Sequence, residues 1–385
     1  MNIVRLTDVC DFQGGTQPPK SDWIKDSKSG YIRMLQIRDF TQRERNNIEY
    51  VKEKASLKTC NESDILIGRY GASIGKICSG LNGAYNVALV KTIPDSNLLN
   101  RDFLSYVLKG DDFQNFIQNI GSRAAQAGFN KTDLEGFQFP LPSLQQQHKI
   151  ASILDAADAL RQNDKVLIAK YDELTKALFL DMFGDPVSNP KGWGEKSLIE
   201  LCTKITDGTH KTPTYLEKGV VFLSAKNIKN FKLNCDSPKY ISQEEHQLLK
   251  NRCLVEMGDV LITKSGSLGM AAKVEFDFEF SIFESLALIK YLRNQVNGDF
   301  LLYFLNTEST QQQYIGMTKG VGVKHLHLTD LRKIRVITPP IVLQNQFAER
   351  VAVIEEQRAI AQKSLEKSES LFNSLLQKAF KGELN

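Results

Sequence analysis

The sequence of 385 residues contains the same unit twice, and this duplication constrains the fold more than any other feature. Residues 64–71 (DILIGRYG) return as residues 259–266 (DVLITKSG). Further matches keep the same order along the chain: residues 38–40 with 226–228, 102–106 with 299–303, and 132–134 with 329–331. Each half is therefore predicted to fold as one unit of the same kind.

Each copy changes its hydrophobic pattern near its end. Short β-like runs such as residues 64–67 and 86–90 alternate with brief helical stretches such as 103–108, which indicates a mixed α/β domain. After Pro142 and Pro339, apolar residues recur every three or four positions, as expected for a helix. The predicted stripes are Ile150, Ile153, Ala157, Leu160, Asp164, Leu167, Tyr171, Leu174 and Leu178 in the first copy, and Phe347, Val351, Ile354, Arg358, Ala361, Leu365, Ser368, Phe372, Leu375 and Ala379 in the second.

These patterns predict an α+β fold of two tandem mixed α/β domains, each followed by a long helix. Two narrow apolar stripes of similar length favour packing on each other, and a duplication favours an antiparallel coiled coil with pseudo-twofold symmetry. The breaker-rich segment GDPVSNPKGW predicts a linker between the copies. The expected boundaries are residues 1–143 for domain 1, 144–183 for helix 1, 184–195 for the linker, 196–340 for domain 2 and 341–385 for helix 2.

Composition excludes several classes of protein. No run of about 18 uncharged apolar residues occurs, and the first residues lack a signal-like pattern, which favours a cytoplasmic protein. The six cysteines form no CxxC pair, so buried thiols are expected rather than a zinc ribbon or a disulfide framework. A net charge of +4 is compatible with local nucleic-acid contacts but does not require them.

The motifs of common enzymes are missing. Residues 14–21 (GGTQPPKS) resemble a phosphate loop, but two prolines remove the N–H donors that would hold phosphate. No methyltransferase cofactor loop and no Asn/Asp-Pro-Pro-aromatic run is present. The pair His325 and His327 lacks a third ligand nearby, and no carboxylates form an acid-base motif. The sequence therefore predicts no catalytic residue, no metal and no cofactor in the chain itself.

The segments FPLPSLQQQHKIASIL (139–154), SDILIGRYGASIGK (63–76) and GDVLITKSGSLG (258–269), with the helix ends ALFLDMFGDP and SLLQKAFKGEL, resemble the DNA specificity subunit of type I restriction-modification systems. The resemblance implies two target-recognition domains that each read half of a split DNA site. It also implies that the helices act as a spacer and dock two methyltransferase subunits, which bring S-adenosylmethionine, while ATP-driven restriction subunits cut unmodified DNA. The second helix entrance, TPPIVLQNQFAERV, departs from the pattern of the first.

DNA contacts need Arg or Lys for phosphates, and Arg, Asn or Gln for base edges, on loops that a scaffold positions. Clusters of such residues occur at corresponding places in the two copies, although solvated charge at strand ends is the simpler interpretation of any one of them. The candidates are Arg33, Gln36, Arg38, Arg69, Tyr70, Ser122, Arg123 and Gln126 in the first copy, and Ser224, Lys226, Asn227, Lys264, Ser265, Lys319, Lys324, His325 and His327 in the second.

The sequence therefore predicts a non-catalytic protein that reads a bipartite, asymmetric DNA target. Half-site centres about one helical turn apart are expected, because both domains must approach the same side of the duplex. The alternative function is a structural adaptor whose coiled coil assembles other subunits without reading DNA. A self-contained nuclease or methyltransferase ranks third because its motifs are missing.

Overall fold

The computed structural model describes residues 2–42, 47–123, 128–317 and 325–384. The chain divides into two compact units, Met1–Lys165 with Lys363–Asn385, and Val166–Gln362. Each unit contains one globular part together with a portion of each of two long helices.

The first unit is a mixed α/β structure. Its helices are α1 (Leu6–Val9), α2 (Ile37–Thr41), α3 (Arg101–Lys109), α4 (Asp111–Arg123), the first part of α5 (Leu144–Phe183) and the last part of α10 (Ile341–Lys381). Its strands are β1 (Asn2–Arg5), β2 (Cys10–Gly14), β3 (Trp23–Ile24), β4 (Tyr31–Leu35), β5 (Tyr50–Lys52), β6 (Thr59–Cys60), β7 (Leu66–Gly68), β8 (Ile77–Cys78), β9 (Gly83–Tyr85), β10 (Leu89–Pro94) and β11 (Gln138–Leu141). They form sheets in the orders β1-β11, β2-β10-β7-β8 and β3-β5-β4-β9-β6.

The second unit contains the end of α5, then α6 (Gln243–Arg252), α7 (Gly298–Asn306), α8 (Glu308–Met317), α9 (Leu328–Leu331) and the first part of α10 (Ile341–Lys381). Its strands are β12 (Glu195–Ser197), β13 (Cys202–Asp207), β14 (Val220–Leu223), β15 (Ile228–Lys229), β16 (Lys232–Leu233), β17 (Lys239–Ile241), β18 (Val260–Thr263), β19 (Ala271–Lys273), β20 (Phe280–Ile282), β21 (Leu286–Tyr291) and β22 (Arg335–Ile337). The sheet orders are β12-β22, β13-β21-β18-β19, β17-β14-β20 and β15-β16.

The two units share their internal topology. The four-stranded sheets β2-β10-β7-β8 and β13-β21-β18-β19 have the same strand order, and β1-β11 corresponds to β12-β22. Each unit also contains one pair of parallel strands, β4 with β9 in the first and β14 with β20 in the second. The mixed α/β architecture predicted for both copies is confirmed.

A buried glutamine anchors the start of each long helix. Gln147 accepts a hydrogen bond from the Asn100 backbone N–H at 2.7 Å and donates to the carbonyls of Leu98 and Pro142, both at 2.9 Å. Gln344 repeats the arrangement with the Asn297 N–H at 2.9 Å and the carbonyls of Gln295 at 3.2 Å and Pro339 at 2.8 Å. Both glutamines are buried. Each glutamine side chain thus makes three hydrogen bonds to backbone groups of the preceding segments.

The two long helices contact each other within each unit. In the first, the Arg161 guanidinium lies 4.3 Å from the centre of the Phe372 ring, and Ser368 donates to Asp164 at 2.8 Å. In the second unit, Arg358 pairs with Asp172 at 2.6 Å. No helix in the described ranges is long and apolar enough to cross a membrane.

The predicted stripe of the second helix is correct, whereas part of the first is wrong. Every predicted position from Phe347 to Ala379 is buried or half-buried. In α5, however, Leu160, Leu167 and Leu174 are exposed by 54%, 40% and 49%. The neighbours that face inward are Leu154, Arg161, Ile168 and Thr175. Hydrophobicity favoured the leucines, but the structure buries the Arg161 stem and Thr175 one position further along.

The cysteines are free thiols, and Cys10, Cys60, Cys78 and Cys253 are buried. Burial raises the pKa of Cys10 to about 12 and of Cys60 to about 11. Both thiols are therefore neutral at physiological pH and act as small apolar groups.

Candidate nucleic-acid interface

In the first unit, the turn after β4 is closed by reciprocal hydrogen bonds between Gln36 and Asp39, as in a capping box. Asp39 accepts from the Gln36 backbone N–H at 2.8 Å and from Arg33 at 2.9 Å. Glu49 pairs with Arg38 and accepts from the Gln36 side chain at 2.9 Å. The turn therefore holds the three candidates Arg33, Gln36 and Arg38 in one polar cluster.

Glu49 is the centre of this cluster. Burial opposes the charge of its carboxylate, but hydrogen bonds from Lys20 and Gln36 and the positive charges of Lys20 and Arg38 bring its pKa below the usual value. The carboxylate is therefore ionised at neutral pH and orients the cations around it. Arg38 keeps a side-chain exposure of 40%, so part of the side chain remains accessible.

The segment after β7 presents a second pair of candidates. Arg69 donates from Nε to the Phe129 carbonyl at 2.7 Å, and its guanidinium lies 5.1 Å from the centre of the Tyr70 ring. Tyr70 is 41% exposed and its backbone bridges to Gly128. Arg69 thus joins two loops, while the Tyr70 ring is presented outward.

The side chains of five candidates lie outside the part of the chain that the structure describes. Ser122 and Arg123 lie at the end of α4, but their side chains are outside the described part of the structure, as are Gln126, Lys319 and Lys324.

In the second unit, a turn of the same design follows β14. Asn227 accepts from the Ser224 backbone N–H at 2.9 Å and donates to the Asn234 carbonyl at 3.1 Å. Asn227 therefore occupies the place of Asp39 and holds the turn, which leaves Lys226 at the place of Arg38. The two turns have the same backbone motif but carry different side chains.

A groove of about 760 Å³ opens beside this turn. It brings together four candidates that are separated in sequence: Ser224, Lys226, Asn227 and Ser265. Aromatic rings of Tyr215, Phe222 and Phe283 line it, together with Lys229 and Lys239. The Lys239 ammonium lies 3.7 Å from the centre of the Tyr215 ring. Within the described residues, Lys226, Lys229 and Lys239 form no ion pair.

Lys264 lies nearby but is held by a carboxylate. Its ammonium pairs with Asp207, which also contacts Arg252 at 2.6 Å and His210 at 3.2 Å. Burial disfavours the Asp207 charge, yet the hydrogen bond and charge of Lys264, with His210 and Arg252, bring the pKa of Asp207 below its usual value. Lys264 therefore helps to hold the loop.

The histidine pair flanks a buried residue. The Leu326 backbone N–H donates to the Lys264 carbonyl at 2.8 Å, and Leu326 itself is buried. His325 and His327 are exposed on either side of it. Among the described side chains, no group of three or more His, Cys, Asp or Glu residues is arranged to hold a metal ion.

Comparison with known proteins identifies the family. The model of the type I restriction modification DNA specificity domain matches residues 1–170 and again residues 190–369. The chain belongs to this family. The two matches fall on the two copies of the repeat, and together they cover most of the sequence.

Relatives of this specificity subunit match along most of their length. The specificity subunit of the type I restriction enzyme MjaIX from Methanocaldococcus jannaschii is 23% identical over 412 residues, which cover 100% of this chain and 93% of the relative. That of EcoBI from Escherichia coli is 24% identical over 353 residues, covering 83% and 73%. The S subunit structure from M. genitalium has a TM-score of 0.57 at 16% identity, covering 98% and 96%. The predicted family, fold class and non-catalytic role are confirmed.

Sequence reasoning missed part of the groove of this specificity subunit. Tyr215, Lys229 and Lys239 were not candidates, although they line the same groove as Lys226. One signal was available, since residues 226–239 contain Lys226, Lys229, Lys232 and Lys239. Tyr215 carried no such signal, because its contact with Lys239 arises only from the fold.

Proposed function

We propose that this chain reads a split, asymmetric DNA site and carries that specificity into a type I restriction-modification complex. In this proposal residues 1–143 and 196–340 are the two target-recognition domains. Residues 144–183 and 341–385 form the helical spacer, and residues 184–195 are the linker. The observation that carries the proposal is the basic, aromatic-lined groove of the second unit, placed beside a turn that the first unit also has.

The groove has the chemistry that DNA requires. Lys226, Lys229 and Lys239 provide positive charge for phosphates, and hydroxyl and amide groups can bond base edges or sugars. In the first unit, Arg38 and Tyr70 supply comparable groups, but Arg38 is oriented by Glu49. The same turn with different side chains favours two half-sites of different sequence.

The remaining candidates are assigned to support or to the edge of the interface. Asp39, which was not a candidate, and Asn227 hold the turns, and Lys264 holds its loop through Asp207. Arg33, Gln36 and Arg69 are likewise engaged with protein partners. We assign DNA contact first to Arg38, Tyr70, Lys226, Ser265, His325 and His327, with Ser224 at the groove wall.

The helices supply the spacer. Within each unit α5 and α10 are antiparallel, because a residue further along α5 contacts a residue earlier in α10. Arg161 with Phe372 and Asp164 with Ser368 are examples. We propose a continuous antiparallel coiled coil. A helix of 40 residues is about 60 Å long, enough to span more than one turn of B-DNA.

Partner subunits are proposed to bind the outer faces of these helices. Leu160, Leu167 and Leu174 on α5 and Val353 and Ile360 on α10 are large apolar side chains that stay exposed. Repeated apolar exposure on a helix is typical of a protein-protein contact. We assign these faces to two methyltransferase subunits, with restriction subunits joining the complex.

The test is a selection from random duplex DNA by the full chain co-expressed with a methyltransferase subunit. The expected result is one enriched site with two unlike half-sites. Replacing Lys226 and Lys239 with Ala should weaken binding and reduce the slope of log affinity against log salt by about 0.9 for each phosphate that is no longer neutralised. Lys250→Ala, outside the groove, is the matched control. Enrichment of no split site by the unaltered complex would refute the proposal.

A further inference from the structure

The second unit contains a tight hairpin with an unusual turn. Strands β15 and β16 are joined by the two residues Asn230 and Phe231, whose φ angles are +48° and +62°. A two-residue turn of this kind requires positive φ at both positions, and its second position favours glycine. Phenylalanine in this conformation is strained, and such strain persists only where surrounding contacts hold it.

The tip of the hairpin contacts the long helix. The Phe231 ring lies 6.5 Å from the Tyr303 ring, measured between centres, and Tyr303 in turn lies 5.5 Å from Phe347 of α10. Lys232 pairs with Glu355 of α10 at 2.6 Å. The strained Phe231 therefore packs on an aromatic residue that in turn contacts α10, and its neighbour Lys232 forms an ion pair with α10 directly.

The base of the hairpin belongs to the groove. Asn227 and Asn234 close it with two hydrogen bonds, Asn234 N–H to the Asn227 carbonyl at 2.7 Å and Asn227 Nδ2 to the Asn234 carbonyl at 3.1 Å. Both asparagines line the groove. One short element thus has its base in the candidate DNA site and its tip on α10.

The hairpin also joins two separate parts of the core. Ile228 packs in the cluster under the groove with Leu223 and Ile282. Phe231 packs against the cluster that contains Phe347 and Val351 of α10. A cavity of about 430 Å³ borders the tip and is lined by Phe231 and Lys232 together with Val351 and Glu355 of α10.

We propose that this hairpin is a spacing-specificity element: by tying the groove to α10 it fixes the angle of the second reader and so determines how strictly the distance between half-sites is measured. The proposal rests on the proposed function. Phe231 and Lys232 are positioning residues, because they act through the groove and do not themselves contact DNA.

The test uses Phe231→Gly, Lys232→Glu, and the charge exchange K232E with E355K. Phe231→Gly removes the aromatic ring, but glycine is favoured at this position of the turn, so the hairpin should still form. The full complex is presented with duplexes that carry the selected half-sites separated by spacers of different length. A preference of about tenfold against a spacer one base pair too long, comparable to the effect of one mismatched base pair, should fall to about twofold in F231G and K232E.

The bases selected in each half-site should stay the same, and the charge exchange should restore the spacer preference. A merely structural role would lower affinity for all spacers alike. Unchanged spacer preference in both single variants would overturn the proposal while leaving the proposed function intact. An unaltered complex that enriches no split site would overturn both.

Discussion

At the scale of single residues, the duplication is clearest in side chains that serve the backbone. Gln147 and Gln344 make the same three kinds of hydrogen bond in the two units, and Asp39 and Asn227 close the same turn. These residues hold loops in place through hydrogen bonds to the backbone. The side chains that differ between the units, such as Arg38 and Lys226, are those that the shared turns present.

Replacing Gln147 with Leu should lower the free energy of unfolding of the first unit by about 2 kcal/mol, because it removes three hydrogen bonds to the backbone, of which the one to the Pro142 carbonyl is buried. The neighbour Gln145 is exposed, so Gln145→Leu is the matched control and should change the free energy by less than about 0.5 kcal/mol. Thermal unfolding and hydrogen exchange at the Asn100 amide measure both. Equal effects of the two variants would contradict the role assigned to Gln147.

The Asp207 cluster predicts a pH dependence. A carboxylate whose pKa is lowered on folding stabilises the fold above its unfolded pKa of about 3.9, and this contribution is lost as the pH falls through the lower folded value. Asp207→Asn should therefore lower the melting temperature at pH 7, where it leaves Lys264 without its buried partner.

The difference in melting temperature between the unaltered chain and Asp207→Asn should shrink as the pH is lowered from 5 to 3. Thermal melts across this range, with the exposed Asp277→Asn as control, check the expectation. A difference that stays constant or grows on acidification would show that the Asp207 charge does not contribute.

At the scale of elements, the sequence predicted both long helices but not the whole inward face of the first. Periodicity places a helix after Pro142, and the structure has α5 at Leu144–Phe183. The stripe on α10 was predicted correctly even though Val353, Ile360 and Leu371 lie beside it and stay exposed. In α5, hydrophobicity alone favoured Leu174 over Thr175, which is buried and whose hydroxyl contacts the Tyr171 carbonyl and Tyr303.

This correction is tested by adjacent substitutions. Thr175 is 2% exposed and Leu174 is 49% exposed. Thr175→Lys should destabilise the second unit by about 3 kcal/mol because it buries a charge, whereas Leu174→Lys should leave stability nearly unchanged but weaken binding of the methyltransferase subunit. Chemical unfolding and co-purification provide the two measurements. The opposite order of stabilities would favour Leu174 as the inward residue.

For the candidate site, residue type and repeated position led to Ser224, Lys226 and Ser265, which line one groove and whose contact with DNA stays a proposal. They were not enough to separate side chains that are left accessible from those that hold loops. Lys264 and Asn227 have the right chemistry for DNA. However, Lys264 pairs with Asp207, and the Asn227 side chain bonds the Ser224 and Asn234 backbones. Which partner a polar group takes depends on distant segments that the fold brings together.

At the scale of the whole molecule, the proposed spacer makes a prediction about the target. Removing one heptad from each helix, residues 161–167 and 365–371, keeps the inward pattern but shortens each helix by about 10.5 Å. The preferred spacer should shorten by about three base pairs at 3.4 Å per pair. Methylation mapping on duplexes with graded spacers gives the result, and an unchanged spacer would contradict the use of the helices as a ruler.

The division of the chain also has a consequence for biosynthesis. The second unit is contiguous, from Val166 to Gln362, whereas the first needs residues from both ends of the sequence. Phe372 and Ala379 belong to the same core cluster as Phe103 and Leu104. A ribosome thus completes the second unit before it has made the last helical turns that the first requires. The domain translated earliest is the one whose core closes last.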